Sequence, residues 1–203
     1  MQNDWANLNK YALENEELIQ QPNIGNRIIF IGDSITEFWK MNDSTFFSQN
    51  KYINRGISGQ TTSQMVERFE NDVLKLQPKK VVILAGINDI AENNGPISLE
   101  EIFQNIVSMI DMTNENKGEV ILCSVLPANR FYWNTKILPG EKVVALNKMI
   151  QNYANSNKIK FVDYYSEMVD NSNGLQKHYG EDGVHPNLKG YLKMKSILEP
   201  YIK

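Results

Sequence analysis

The sequence predicts an α/β fold built on a parallel sheet. Two observations carry this. Five short runs rich in Ile and Val recur along the chain: RIIFIG (27–32), KYINRG (51–56), KKVVILAG (79–86), GEVILCSVLP (118–127) and KIKFVDY (158–164). Segments of helical periodicity lie between them. Strands covered on both faces read as near-continuous apolar runs. Their alternation with helices implies parallel βαβ units joined by right-handed crossovers.

Each element has its own signal. The first twenty residues read as a leading helix with Trp5, Leu8, Ala12 and Leu18 or Ile19 facing inward, within a leading segment 1–26. Residues 61–76 carry Met65, Phe69, Val73 and Leu76 at helical spacing, with Thr61 or Thr62 as cap. Residues 98–113 open with SLEE, a capping box, and continue with Ile102, Ile106, Met109 and Ile110 on one face. Residues 140–154 and 187–199 read the same way. The longest irregular stretch, PANRFYWNTKILPG (127–140), is expected to form a binding loop. With no repeat, low-complexity tract or linker, residues 1–203 are expected to be a single domain.

Composition narrows the function classes. The 203 residues are 41% hydrophobic and 22% charged, as in an ordinary globular protein with enough chain for a core. A net charge of -3 without a basic stripe argues against tracking nucleic-acid phosphates. No apolar segment is long enough to cross a bilayer, so membrane insertion is not expected. The N-terminus lacks a cationic start followed by an apolar block. A cytoplasmic location is the expectation for the sequence as written; a trimmed secreted or periplasmic chain would read the same. The lone Cys123 forms no internal disulfide and belongs to no CxxC pair, so it is expected to be a buried hydrophobe rather than a metal ligand.

In open α/β sheets, ligands bind beyond the carboxyl ends of the strands. The first run is followed by Gly32-Asp33-Ser34, the second by Gly56-Ile57-Ser58-Gly59 and the third by Gly86-Ile87-Asn88-Asp89. Pro127-Ala128-Asn129-Arg130 follows the fourth, and Asp182-Gly183-Val184-His185 lies well after the fifth. The fold would gather these loops around one cleft. A serine hydroxyl needs a base to become a nucleophile. Of the two histidines, His178 has no comparable setting and is expected at the surface. His185 follows Asp182 by three residues, and Pro186 holds it extended. Asp182 would then fix the imidazole tautomer. The Ser34 N–H at a helix start, the Gly59 backbone and the Asn88 amide are candidate donors to an oxyanion. Taken alone, Ser34 suits a helix cap as well as a nucleophile. Asp33 is expected to orient the turn, and Asp89 to cap the next segment or brace the loop. Gly56 reads as a turn glycine.

The blocks GDSIT, the glycine in NRGISGQTT, GIND and DGVH resemble, in order and spacing, the four blocks of the SGNH (GDSL-type) hydrolases. The resemblance spans about residues 27–200. It implies a three-layer α/β/α, flavodoxin-like fold with a five-stranded parallel sheet, and carboxylic ester hydrolysis without metal or organic cofactor. By position, Ser34 matches the nucleophile, Asp182 and His185 the rest of the triad, and Ser34, Gly59 and Asn88 the oxyanion hole. The GxSxG elbow of α/β-hydrolases is absent, because Thr36 stands where its second glycine would be.

The expected partner is a small-molecule ester with a small or short acyl group, O-acetylated carbohydrates included. A lysophospholipase or thioesterase activity, and a non-catalytic flavodoxin-like or carbohydrate-binding module, are the alternatives. Asp33 and the run Arg130-Phe131-Tyr132-Trp133 are candidate substrate contacts. Nothing in the sequence specifies an oligomeric state.

Overall fold

A computed structural model describes residues 4–23 and 25–203. In chain order the elements are α1 (Ala12–Gln20), β1 (Ile28–Gly32), α2 (Ser34–Asn42), α3 (Ser44–Asn50), β2 (Ile53–Gly56) and α4 (Thr62–Asp72). A 3-10 turn (Leu74–Leu76) leads into β3 (Lys80–Leu84) and α5 (Ile87–Ile90). Then come α6 (Leu99–Glu115), β4 (Glu119–Cys123), α7 (Gly140–Asn157), β5 (Lys160–Val162), α8 (Tyr164–Met168) and α9 (Leu188–Ile202). The five strands form one parallel sheet in the order β2-β1-β3-β4-β5. Helices α2 and α9 pack together on one face. On the other, α1, α4, α6 and α7 form a contiguous layer. This is the three-layer α/β/α architecture the sequence predicts. No helix among the described residues is long and apolar enough to cross a membrane.

Strands β1 and β3 are buried along their whole length, as their unbroken apolar character requires. The chain leaves β1 for β2 at the edge, then returns past β1 to β3. This reversal is the switch point at which open α/β sheets bind ligands. Register sets the loops level: Gly32 is paired with both Gly56 and Leu84, so three strands end together. Gly56 has no room for a side chain. A Cβ there would stand 2.2 Å from the Glu37 backbone nitrogen, so glycine lets α2 descend onto β2.

The SLEE capping box forms as predicted. The Ser98 hydroxyl accepts from the Glu101 N–H at 3.2 Å, and the Glu101 carboxylate accepts from the Ser98 N–H at 3.0 Å. Other expectations need correcting. The leading helix starts only at Ala12, because the Asp4 carboxylate accepts from the Leu8 and Asn9 N–H groups and winds residues 4–10 into turns. Trp5, expected inward, is 48% exposed and Ala6 is buried in its place; of Leu18 or Ile19, it is Leu18 that packs against the core, while Ile19 is 50% exposed. Residues 1–3 and 24 of the predicted leading segment lie outside the described residues. The predicted 61–76 helix ends at Asp72, although Val73 and Leu76 stay in the core. Helices α2 and α3, which no periodicity announces, seat Trp39, Phe46 and Phe47 edge-to-face and stacked around Phe30 of β1.

Beneath the β1 and β2 ends lies a fully buried pair of arginines. Arg68 of α4 donates to the Gly32 and Arg55 carbonyls at 3.1 and 2.8 Å, to Gln60 Oε1 at 2.5 Å and to Asp72 at 3.0 Å. Arg55 of β2 donates twice to Asn15 Oδ1 and once to Glu14. Asn15 closes the circuit by donating to Asp72 at 2.7 Å. Every charge here has a partner, the condition under which burial is tolerated.

Candidate active site

Ser34 is the first residue of α2. Asp33 caps that helix by accepting the Ile35 N–H at 2.9 Å, which leaves the Ser34 N–H without a partner among the described residues. The hydroxyl sits 2.9 Å from His185 Nε2, across 151 residues of chain. His185 Nδ1 lies 2.6 Å from Asp182 Oδ2, while Asp182 Oδ1 accepts the Val184 and His185 N–H groups at 2.9 and 2.7 Å. Partial burial pushes the Asp182 carboxyl up. The His185 and Val184 N–H groups and the imidazole outweigh it, so the carboxyl sits below its ordinary range. It is therefore ionised and fit to orient an imidazole.

Gly59 adopts φ +78°, in the left-handed region that glycine enters freely, and its N–H has no partner among the described residues. Asn88, on the short α5, donates one amide N–H to the Gln60 carbonyl at 3.1 Å, which leaves its second N–H without a partner among the described residues. Ser34, Gly59, Asn88 and His185 share a cleft of about 320 Å³ with Phe38, Ser58, Asn93 and Trp133. Phe38 lies 5.5 Å from the His185 ring, centroid to centroid, and Trp133 lies 6.4 Å from it.

The remaining candidates separate. Asp33 is buried beneath the cleft and does not line it; burial pushes its carboxyl up to about 7. Phe131 is 1% exposed and packs under Trp133 at 5.0 Å, so it is a core residue and not a substrate contact. Arg130 donates to the Tyr132 hydroxyl at 2.9 Å, and neither lines the Ser34 cleft. Arg130 instead borders a larger cavity of about 690 Å³ with Asp170, Lys177 and Glu181, which Ser34 and His185 do not reach. Of the aromatic run, only Trp133 meets the cleft. His178 is exposed, Cys123 is buried, and Asp89 accepts from the Thr62 N–H and hydroxyl, bracing its loop.

Asn93 is a site residue that sequence reasoning missed. Its amide donates to Asn88 Oδ1 at 2.9 Å and to the Gly59 carbonyl at 3.2 Å, and its oxygen accepts from Trp133 Nε1 at 3.2 Å. One side chain thus fixes the Asn88 amide and ties it to the cleft wall. Its only sequence signal is the polar turn ENNG, which resembles any surface loop.

Residues 30–193 match the GDSL-like lipase/acylhydrolase family. The crystal structure of a GDSL-like lipase from Bacteroides thetaiotaomicron superposes with TM-score 0.94 at 45% identity, covering 97% of each chain. Subunit alpha1 of bovine platelet-activating factor acetylhydrolase IB is 26% identical over 81% of this chain and 69% of its own length. An acetylxylan esterase from Xylanibacter ruminicola is 25% identical over 74% of this chain. The chain spans about a third of the length of two curated relatives it matches, this esterase among them. With a family match across most of its length and a near-complete superposition on a GDSL-like lipase, the chain belongs to the GDSL-like lipase/acylhydrolase family.

Proposed function

We propose that the protein is a serine esterase acting on small or short-chain acyl esters. The observation that carries this reading is the relay Ser34 Oγ, His185, Asp182, with links of 2.9 and 2.6 Å. Ser34 attacks the ester carbonyl carbon, and its proton passes to His185 Nε2. Asp182 accepts the Nδ1–H, holds the tautomer and stabilises the imidazolium. The carbonyl oxygen becomes an oxyanion facing three donors: the Ser34 and Gly59 N–H groups and the free N–H of Asn88. His185 returns the proton to the leaving alkoxide. Water then repeats the cycle on the acyl-enzyme.

The small cleft, walled by Phe38 and Trp133, supports the short-acyl reading over a long-chain lipase. The test is hydrolysis of p-nitrophenyl acetate, butyrate and octanoate by wild type and Ser34→Ala. Wild type is expected to favour the two short esters, and the variant to lose roughly 10⁴-fold or more in turnover. Equal rates in both proteins would remove Ser34 from the chemistry, and a preference for octanoate would overturn the short-acyl assignment.

A further inference from the structure

The leading segment does more than cover the core. Its backbone is fixed to the α4 start, where Gln64 Nε2 donates to the Trp5 carbonyl and Gln60 Nε2 to the Ala6 carbonyl, both at 2.7 Å. Gln60 is itself held by the buried Arg68. So positioned, residues 4–7 wall a groove of about 450 Å³ that shares Ser58, Gly59 and Asn93 with the Ser34 cleft. The groove and the cleft therefore adjoin along these three residues.

The groove has a definite chemistry. Trp5 presents a half-exposed indole at its edge, and Asn7, Gln64, Asn93 and Asn94 supply amides. The one ionisable side chain lining it is Asp4. The nearby Lys10 is paired with Glu37, which also holds Ser58. Such a surface repels phosphate and carboxylate, and it offers an alkyl chain little apolar wall. Trp5 Nε1, the Asn7 amide and Asn94 Oδ1 have no partners among the described residues. Free amides beside an aromatic face suit an uncharged, polyhydroxylated ring, with hydroxyls against the amides and C–H groups against the indole.

We infer that this groove is the subsite for the carbohydrate part of an O-acylated sugar, with Trp5 as its stacking face and Asn7 and Asn94 as its hydrogen-bonding groups. The inference rests on the esterase reading of Ser34, and it is tested in two arms that separate the two. In the first, kcat/KM is measured on mono-O-acetylated xylotriose and on p-nitrophenyl acetate for wild type, Trp5→Ala and Asn94→Ala, each checked for an unchanged melting profile. The ratio of the two kcat/KM values is expected to fall about tenfold in Trp5→Ala and by a smaller factor in Asn94→Ala. In the second, unacetylated xylotriose is titrated against Ser34→Ala and followed by tryptophan fluorescence, with lysophosphatidylcholine as the competing probe. Saturable quenching by xylotriose, absent when Trp5→Ala is added to Ser34→Ala, supports the subsite even if hydrolysis fails, in which case the esterase reading alone falls. An unchanged ratio in both variants, or quenching by the phospholipid and not by xylotriose, overturns the subsite while leaving the esterase reading intact.

Discussion

Beneath Ser34 and Gly59 lie Arg55 and Arg68, both fully buried and tied to Asp72, Asn15, Gln60 and the carboxyl ends of β1 and β2. His185 and Asp182 stand on a loop where their side chains are 26% and 43% exposed, fixed mainly by bonds within the same four residues. On the esterase reading proposed above, the two halves of the site, nucleophile with oxyanion donors and base with its carboxylate, are thus supported in opposite ways. Donors that meet a developing charge contribute most when they need not reorganise, and a buried charged scaffold provides that rigidity. A base that gives and takes a proton needs only the right tautomer and reach, and a short hydrogen-bonded loop suffices. The support of the nucleophile side should therefore show in stability, and that of the base side in rate.

The sharpest way to break this contrast is to cross the two halves. Asp182→Asn keeps the oxygen that accepts the Val184 and His185 N–H groups. Stability is expected to change by less than about 1 kcal/mol, while turnover falls roughly 10⁴-fold through the wrong imidazole tautomer. Arg68→Met strands the Asp72 carboxylate and two buried carbonyls and should cost about 3–5 kcal/mol in urea denaturation. If Asp182→Asn proved the more destabilising of the two, the contrast would be gone. Within the nucleophile side, Asn88→Ala should lower kcat by roughly 10²–10³ with the fold intact. Asn93→Ala, which keeps the Asn88 donor but removes the bonds that brace it, Gly59 and Trp133, should lose a smaller part of the same factor. Near-normal kcat in Asn88→Ala would remove that donor from the oxyanion site.

Much of the frame was legible because parallel strands have no solvent face to interrupt them. The runs around Ile28–Gly32 and Lys80–Leu84 announce themselves by unbroken apolar character. The cleft followed from strand order, since what comes after each run must emerge at one end of the sheet. What stayed hidden is polar. The buried residue of α1 is Asn15, which hydrophobic periodicity reads as surface; that periodicity finds Leu18, which packs on the core, but also points Trp5 inward, where the chain forms turns and leaves the indole half exposed. Nothing in the sequence distinguishes Arg55 and Arg68 from solvated arginines, because their partners lie on other elements. Phe131 and Trp133 are two residues apart in one aromatic run, yet the loop path sends one into the core and the other to the cleft.

An effect of a different kind, read in pH and not in rate, is expected of Asp33, the buried cap under Ser34. Burial raises its carboxyl to about 7, against the Ile35 N–H and His185, which lower it. An acid that holds its proton more tightly when folded loses stability as pH rises from its ordinary value to the folded one. Asp33→Asn retains the acceptor for the Ile35 N–H and does not titrate. The stability difference between wild type and variant should therefore shift against wild type by at most about 1.4 kcal/mol per pH unit up to about pH 7, and then level off. Urea midpoints at pH 5, 6, 7 and 8 measure this; parallel profiles would show that Asp33 does not titrate there.

The 151 residues between Ser34 and His185 also have a temporal meaning. Synthesis proceeds from the N-terminus, and domains fold as their chain emerges. Ser34 and α2 are made before His185 and α9, whose Tyr191 donates to the Ile35 carbonyl at 3.0 Å. On the esterase reading proposed above, a nascent chain carries Ser34 without its proton acceptor until His185 has emerged and α9 has docked, so reactivity is expected only after that point.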